Sequence, residues 1–174
     1  MDEPPLYSWI PLEHSSCYAA VTFEFDYPDV WQWSIFITSR HEDDSERMVT
    51  EYRWTPEGLD IEDLEAVRLV TIPDSDHAIF ICFKLDGCVA SPEEVDRLAK
   101  EISVATPFSQ YPEWRDAIAS KEGTFTFITR LKDSGYLQRE ESADVITSTL
   151  DSLAKKMVYK VLAKEQIKTV LMTV

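Results

Sequence analysis

The sequence is poor in what most recognisable chemistries need. Its 174 residues include four glycines, three histidines and three cysteines. No GxGxxG or P-loop pattern is present to cradle a phosphate, and no GxSxG elbow to raise a serine nucleophile. Three cysteines without a CxxC pair make no disulfide framework, and His14, His41 and His77 fall in no HExxH-like spacing, so zinc has no support. Positive charge is scarce as well: 17 Lys and Arg stand against 32 Asp and Glu, a formal net charge of −15. A surface that acidic repels phosphate backbones and anionic headgroups, which argues against nucleic acid and membrane as partners. The longest strongly apolar run, Ala78 to Phe83, falls far short of the roughly 20 residues of a membrane span. The start, MDEPPLYSWIPLEHS, is acidic and proline-broken, unlike a secretory signal. These absences lead to the expectation of a soluble, intracellular, cytoplasmic protein with reduced thiols and no metal or other cofactor.

What is present is an ordinary globular balance, 44% hydrophobic and 28% charged residues, in a length that suits one domain over residues 1–174. Residues 1–15 read as an extended N-terminal arm. From Ser16 to Phe25 apolar and polar residues alternate, with Cys17, Ala19, Val21, Phe23 and Phe25 on one face, the mark of a half-buried strand. Trp31 to Thr38 and Met48 to Trp54 follow as further strands of an antiparallel meander, with Arg40 to Arg47 a polar loop between them. The acidic stretch Gly58 to Glu65 reads as one or two helical turns. Val67 to Ile72 and Ala78 to Leu85 lack clean alternation and read as strands covered on both faces.

The second half turns helical. Ser91-Pro92-Glu93-Glu94 is a capping box with proline at the first helical position, and Val95, Leu98, Ala99 and Ile102 then share one face. Tyr111 to Ser120 reads as a second helix with Gly123 as its left-handed stop, and Thr124 to Leu131 leans toward strand by composition. In the long helix after Ser142, Ile146, Leu150, Leu153, Met157 and Val161 form a stripe, with lysines gathered near its end. The tail from Ile167 is open between a final strand and a frayed helix end. The expected class is α+β: an antiparallel sheet of five to six strands, with two main helices, Pro92–Ile102 and Ala143–Lys164, packed on it.

Several groups could carry chemistry. His77 lies beside Asp74 and Asp76 on an inter-strand turn, an arrangement that suits a general base. Cys88 precedes a helix start, where a thiol pKa can fall; Cys17 and Cys82 read as small core hydrophobes. Trp31 and Trp33 share a face of one strand, and Tyr52 and Trp54 of the next. Together with Trp114 they make either a bulky core or an aromatic-walled ligand site. The ten carboxylates between His41 and Glu65 read as a solvated acidic segment, or as a docking site for a basic partner, since calcium-loop spacing is absent.

One stretch carries a family likeness. Tyr111-Pro112-Glu113-Trp114-Arg115-Asp116, with Leu131-Lys132-Asp133-Ser134-Gly135-Tyr136-Leu137 downstream, resembles a group of uncharacterised fungal proteins with a D-P-x-W-N-C-x-x-W-V helix start and an L-x-x-x-G-x-I/L ending. Trp33-Ser34-Ile35-Phe36-Ile37 and Glu51-Tyr52-Arg53 look like that group's H-W-x-L-Y-V and Y-E-x-R segments. The arrangement is similar to the papain-like NlpC and LRAT superfamily, in which a Cys at a helix N-terminus works with a His on a neighbouring strand. Here Asp116 stands where that resemblance implies Cys, and Gln32 where it implies His. The resemblance thus implies a non-catalytic relative, or one reworked for acid–base chemistry by Asp116, whose anionic form the helix dipole would favour.

The functional expectation is a binding or interaction protein for a protein partner or small apolar ligand. Its alternative is a cofactor-independent enzyme acting on a small apolar substrate through Asp116, His77 or Cys88. Residues 152–174 hold five Lys and one Glu, and this basic end of an acidic chain offers a route to a homo-oligomer through the C-terminal helix.

Overall fold

The computed structural model describes residues 12, 13, 15–24, 30–38, 48–65, 78–164 and 169–173. The alternating segments form β1 (Cys17–Glu24), β2 (Trp31–Thr38), β3 (Met48–Thr55), β4 (Gly58–Glu65) and β5 (Ala78–Lys84). Three helices follow, α1 (Pro92–Lys100), α2 (Pro112–Asp133) and α3 (Ala143–Lys164), and the chain returns to the sheet as β6 (Thr169–Thr173). The sheet order is β4-β3-β2-β1-β5-β6. Every neighbouring pair is antiparallel except β5–β6, which the helical crossover makes parallel. The α+β class holds, and β6 gives the sheet its one parallel edge. The strand expected at Val67 to Ile72, the N-terminal arm to Pro11, the loop Arg40 to Arg47, and His14, His41 and His77 lie outside the described residues. No helix among the described residues is long and apolar enough to cross a membrane.

Gly58 to Glu65 is not helical. It is the edge strand β4, paired with β3 from Thr55↔Gly58 to Met48↔Glu65. Leu59 and Ile61 alternate with Asp60 and Glu62, and an exposed acidic edge discourages pairing with other chains. β1 departs from expectation in the other direction. Cys17, Ala19 and Val21 join the large core beneath the helices, but Tyr18 and Ala20 on the reverse face are equally buried, with Leu12, Phe36, Val49 and Cys82. The sheet is thus covered on both sides along β1, where Tyr18 lies opposite Phe36 of β2 and Ala20 opposite Cys82 of β5. Glu51 is buried on this reverse face, and desolvation raises its carboxyl above the ordinary range despite the nearby Arg53 and Ser34.

α1 starts as its capping box dictates. Ser91 Oγ accepts from the Glu94 amide at 3.1 Å, and the Glu94 carboxylate accepts from the Ser91 amide at 2.6 Å. The larger correction concerns α2. Residues 112–133 form one continuous helix, so Gly123 does not stop it and Thr124 to Leu131 is not a strand. Ala119, Ser120, Gly123, Thr124, Phe127, Ile128 and Leu131 are its buried residues, a helical repeat that outweighs the β-branched composition. The left-handed residue is Gly135, with φ +77°, directly after the Ser134 cap. At Gly123 a Cβ would lie inside the Trp54 ring, so glycine there is the condition for helix and strand to touch. Among the described side chains of α3 the buried apolar residues are Ile146, Leu150, Ala154 and Val158, with Leu153 and Met157 flanking.

Candidate functional site

Two clefts lie at opposite ends of β2. The first arises where β2 and β3 part. Their pairing runs from Thr38↔Val49 to Ile35↔Tyr52. Beyond it, the Trp33 amide donates instead to Ser120 Oγ of α2 at 2.9 Å. The opening, about 290 Å³, is lined by Gln32, Arg53, Trp54, Thr55, Glu57, Asp60 and Asp116. The two positions at which the resemblance implies a catalytic pair, Gln32 and Asp116, therefore line one cleft. Asp116 does not have the favoured anion expected from its place near a helix start. Partial burial, then Glu57, raises its carboxyl pKa, and Arg115 and Arg53 only offset this in part. Three carboxylates against one guanidinium make this a place for a cationic or hydrogen-bonding group.

The second cleft, about 320 Å³, is lined by Ser15, Ser16, Cys17, Ile37, Thr38, Cys88, Val89, Ala90 and Pro92. Its distinguishing feature is a pair of thiols. Cys17, at the start of β1, and Cys88, in the loop before α1, both line this cleft, and each thiol shifts the ionisation of the other. The Leu85 amide donates to the Cys17 carbonyl and the Cys88 amide to the Leu85 carbonyl, so one short backbone relay holds both residues. The loop is also stitched to the segment after α2: Val89 N–H donates to Tyr136 O and Gln138 N–H to Gly87 O, both at 2.8 Å. The Cys17 side chain brings the Cys88 thiol down to about 7, helped by the Ala90 amide and opposed by burial. Cys17, fully buried, is held well above the ordinary thiol range by the same partner and by desolvation. Cys82 faces the other side of the sheet and is pushed up to about 12 by burial.

The aromatic residues divide differently from the expectation of a walled site. Trp33 stacks with Phe83 at a centroid distance of 6.3 Å and meets Phe125 edge-on at 5.0 Å, while Trp54 packs on Phe127 at 5.7 Å. Tyr52 is buried with its hydroxyl donating to Asp96 of α1 at 3.5 Å, and burial and Asp96 push it up to about 12. Trp31 packs at the margin of the same core. These four rings converge on one face, as the alternation indicates, and they fill it. Trp114 stands apart, 45% exposed on the outside of α2. Beside it on the helix are Tyr111 and Ile118, and Phe108 precedes them fully in solvent. The turn carrying them is fastened: Arg115 Nε donates to Pro107 O at 3.3 Å and the Tyr111 amide to Ser109 Oγ at 3.1 Å.

Sequence reasoning singled out Cys88, Asp116 and Trp114 separately, and missed Ser120, Gly123, Phe108 and the partnership of Cys17 with Cys88. The helical spacing of Ser120, Gly123, Thr124 and Phe127 was a signal for the first two; nothing local marks the thiol pair. Among the described residues no three His, Cys, Asp or Glu side chains gather as a metal site. No protein-family model, curated protein or solved structure matches the chain.

Proposed function

We propose that the protein is an interaction module whose outward face of α2 docks a basic protein partner. The observation that carries this reading is the fastened apolar surface of Phe108, Tyr111, Trp114 and Ile118. Four large apolar side chains on one turn and helix face are held out by hydrogen bonds in an otherwise acidic molecule, and such patches are typical of docking surfaces. The charge of −15 sets the partner's chemistry: apolar groups to cover the rings, and Lys or Arg to suit the acidic excess of the chain. Three free cysteines support a reducing compartment, and we assign the protein to the cytoplasm on that ground.

The test uses an amphipathic Leu/Lys helical peptide as probe, with a Leu/Glu peptide of the same length as control. The Leu/Lys peptide should bind and weaken with added salt. Phe108→Ala with Trp114→Ala should lower its affinity at least tenfold, about 1.4 kcal/mol, with an unchanged melting temperature. Equal binding by this double variant removes α2 as the docking face. Sedimentation at low and high salt separates the self-association reading: an assembly unmoved by ionic strength is not held by the lysine-rich C-terminal segment.

A second reading rests on the cleft shared by Gln32 and Asp116. It supports a relationship to the papain-like hydrolases in which the thiolate and imidazole are replaced by a carboxylate and an amide. Such a pair has no strong nucleophile, so the cleft would bind a basic or polar group. The remaining enzymatic alternative makes Asp116 a general base for a small apolar substrate, and its raised pKa is what favours it. Asp116→Asn abolishes turnover under that alternative and leaves peptide docking on α2 intact.

A further inference from the structure

We propose that Cys88 and Cys17 form a redox-active dithiol that exchanges with small disulfides such as oxidised glutathione and closes into an intramolecular disulfide. Both cysteines line a cleft of about 320 Å³, large enough to admit one arm of a tripeptide disulfide. Cys88 is half-buried and reachable from the cleft, whereas Cys17 is 3% exposed behind it. That gradient separates an attacking thiol from a resolving one.

The steps balance without a cofactor. The Cys88 thiolate attacks one sulphur of oxidised glutathione, breaking the S–S bond and releasing one glutathione thiolate, which takes up a proton. Cys17 then loses its proton, its thiolate attacks the Cys88 sulphur, and the second glutathione leaves. Two protein thiols have been oxidised and one disulfide reduced to two thiols. The first step also prepares the second. While Cys88 is a thiolate, its side chain holds the Cys17 proton in place. Once Cys88 is capped, that influence vanishes and only burial opposes ionisation of Cys17. The closing movement falls on the Cys88 side chain, since the backbone at residues 87–89 is pinned by its hydrogen bonds and Cys17 is fixed in the register of β1 with β2 and β5.

The backbone geometry fits this division. Gly87 has φ +84°, and a Cβ there would press on the Gln138 carbonyl at 2.6 Å, so the turn before Cys88 is fixed against the strip after α2. Cys82 supplies an internal control. It lies on the opposite face of the sheet, fully buried, and takes no part in the thiol pair.

The experiment exposes the reduced full-length chain to excess oxidised glutathione at pH 7 and follows intact mass and non-reducing peptide maps. The expected product has lost two hydrogens and links Cys17 to Cys88, with Cys82 free. The variant Cys17→Ala should trap one glutathionyl group on Cys88, and Cys88→Ser should react at neither Cys17 nor Cys82. Cys17→Ala removes the polar group beside Cys88, so the iodoacetamide labelling midpoint of Cys88 should rise from near pH 7 toward the ordinary thiol value, whereas Cys17→Ser keeps a donor there and should hold the midpoint low. In the parent chain Cys88 should react roughly three- to sixfold faster at pH 7 than an unperturbed thiol, the larger thiolate fraction being partly offset by lower nucleophilicity. A stable glutathionyl adduct on the parent chain with no Cys17–Cys88 link overturns the proposal, as does a chain that stays fully reduced. Cys88→Ser keeps the test informative if the core substitution at Cys17 prevents folding: an oxidised parent combined with unreacted Cys88→Ser supports the pair, and glutathionylation of Cys17 in that variant contradicts it.

Discussion

The two ends of β2 hold clefts of nearly equal volume, about 290 and 320 Å³, and opposite chemistry. At the Gln32 end the strands part, a helix wedges in, and the opening collects charge: partial burial and Glu57 raise the Asp116 carboxyl more than Arg115 and Arg53 lower it. At the Thr38 end a loop is sewn down beside the sheet, and two weakly polar thiols line one cleft and shift each other's ionisation. Cavity size says little about function here. The neighbours decide which group becomes reactive, and they lower a thiol at one end while they raise a carboxyl at the other.

The comparison breaks most readily at Gly123. In an unencumbered helix Gly→Ala would stabilise by about 1 kcal/mol, but here the new methyl collides with Trp54. Gly123→Ala should therefore destabilise by about 3 kcal/mol in urea unfolding, as overpacking of a filled core does. If the ends are independent, the surviving folded fraction keeps the pH 7 labelling rate of Cys88; a stabilised variant would mean that α2 does not press on β3. Ser120→Ala comes next. It strands the buried Trp33 amide, and a loss of about 2 kcal/mol is expected without change at the thiol end.

Glu51 sharpens the contrast by pH. Its folded pKa is raised, so the native state keeps this proton to higher pH than the unfolded chain. Stability from this group is therefore greatest below the unfolded carboxylate value, falls as pH rises toward the folded value, and stays reduced above it. Glu51→Gln should stabilise by about 1 kcal/mol at pH 7, with the gap closing below about pH 4.3. A gap that persists at pH 3 would trace the effect to packing. Asp116→Asn has the same sign and is smallest, within about 0.5 kcal/mol, because the group is partly solvated; salt should diminish it further. A destabilisation at low salt would show that Arg53 and Arg115 outweigh Glu57.

Much of the fold is legible locally. The Ser91 capping box, the alternation of Trp31, Trp33, Ile35 and Ile37, and the α3 stripe each express a period that the backbone enforces. The errors share one cause. Gly123 looks like a stop and Thr124 to Leu131 like a strand because single-residue preferences of about 1 kcal/mol or less are easily overruled when a whole face is buried. Gly58 to Glu65 looks helical because its acidity hides an alternation that only the open edge of β3 makes useful. For the sites, Asp116 and Gln32 were matched through a resemblance and do line one cleft, whereas Cys17 and Cys88, far apart along the chain, carry no mutual signature.

By itself the sequence determined the class, the acidic surface, the poverty of phosphate- and zinc-binding motifs and most helix and strand cores, because these follow from composition and from periods of 2 and 3.6 residues. Tertiary structure alone decided that β6 pairs beside β5, that Trp54 needs a glycine opposite it, and that two thiols line one cleft. Those facts depend on which surfaces meet, and contact between distant segments leaves no trace in the order of residues within either one.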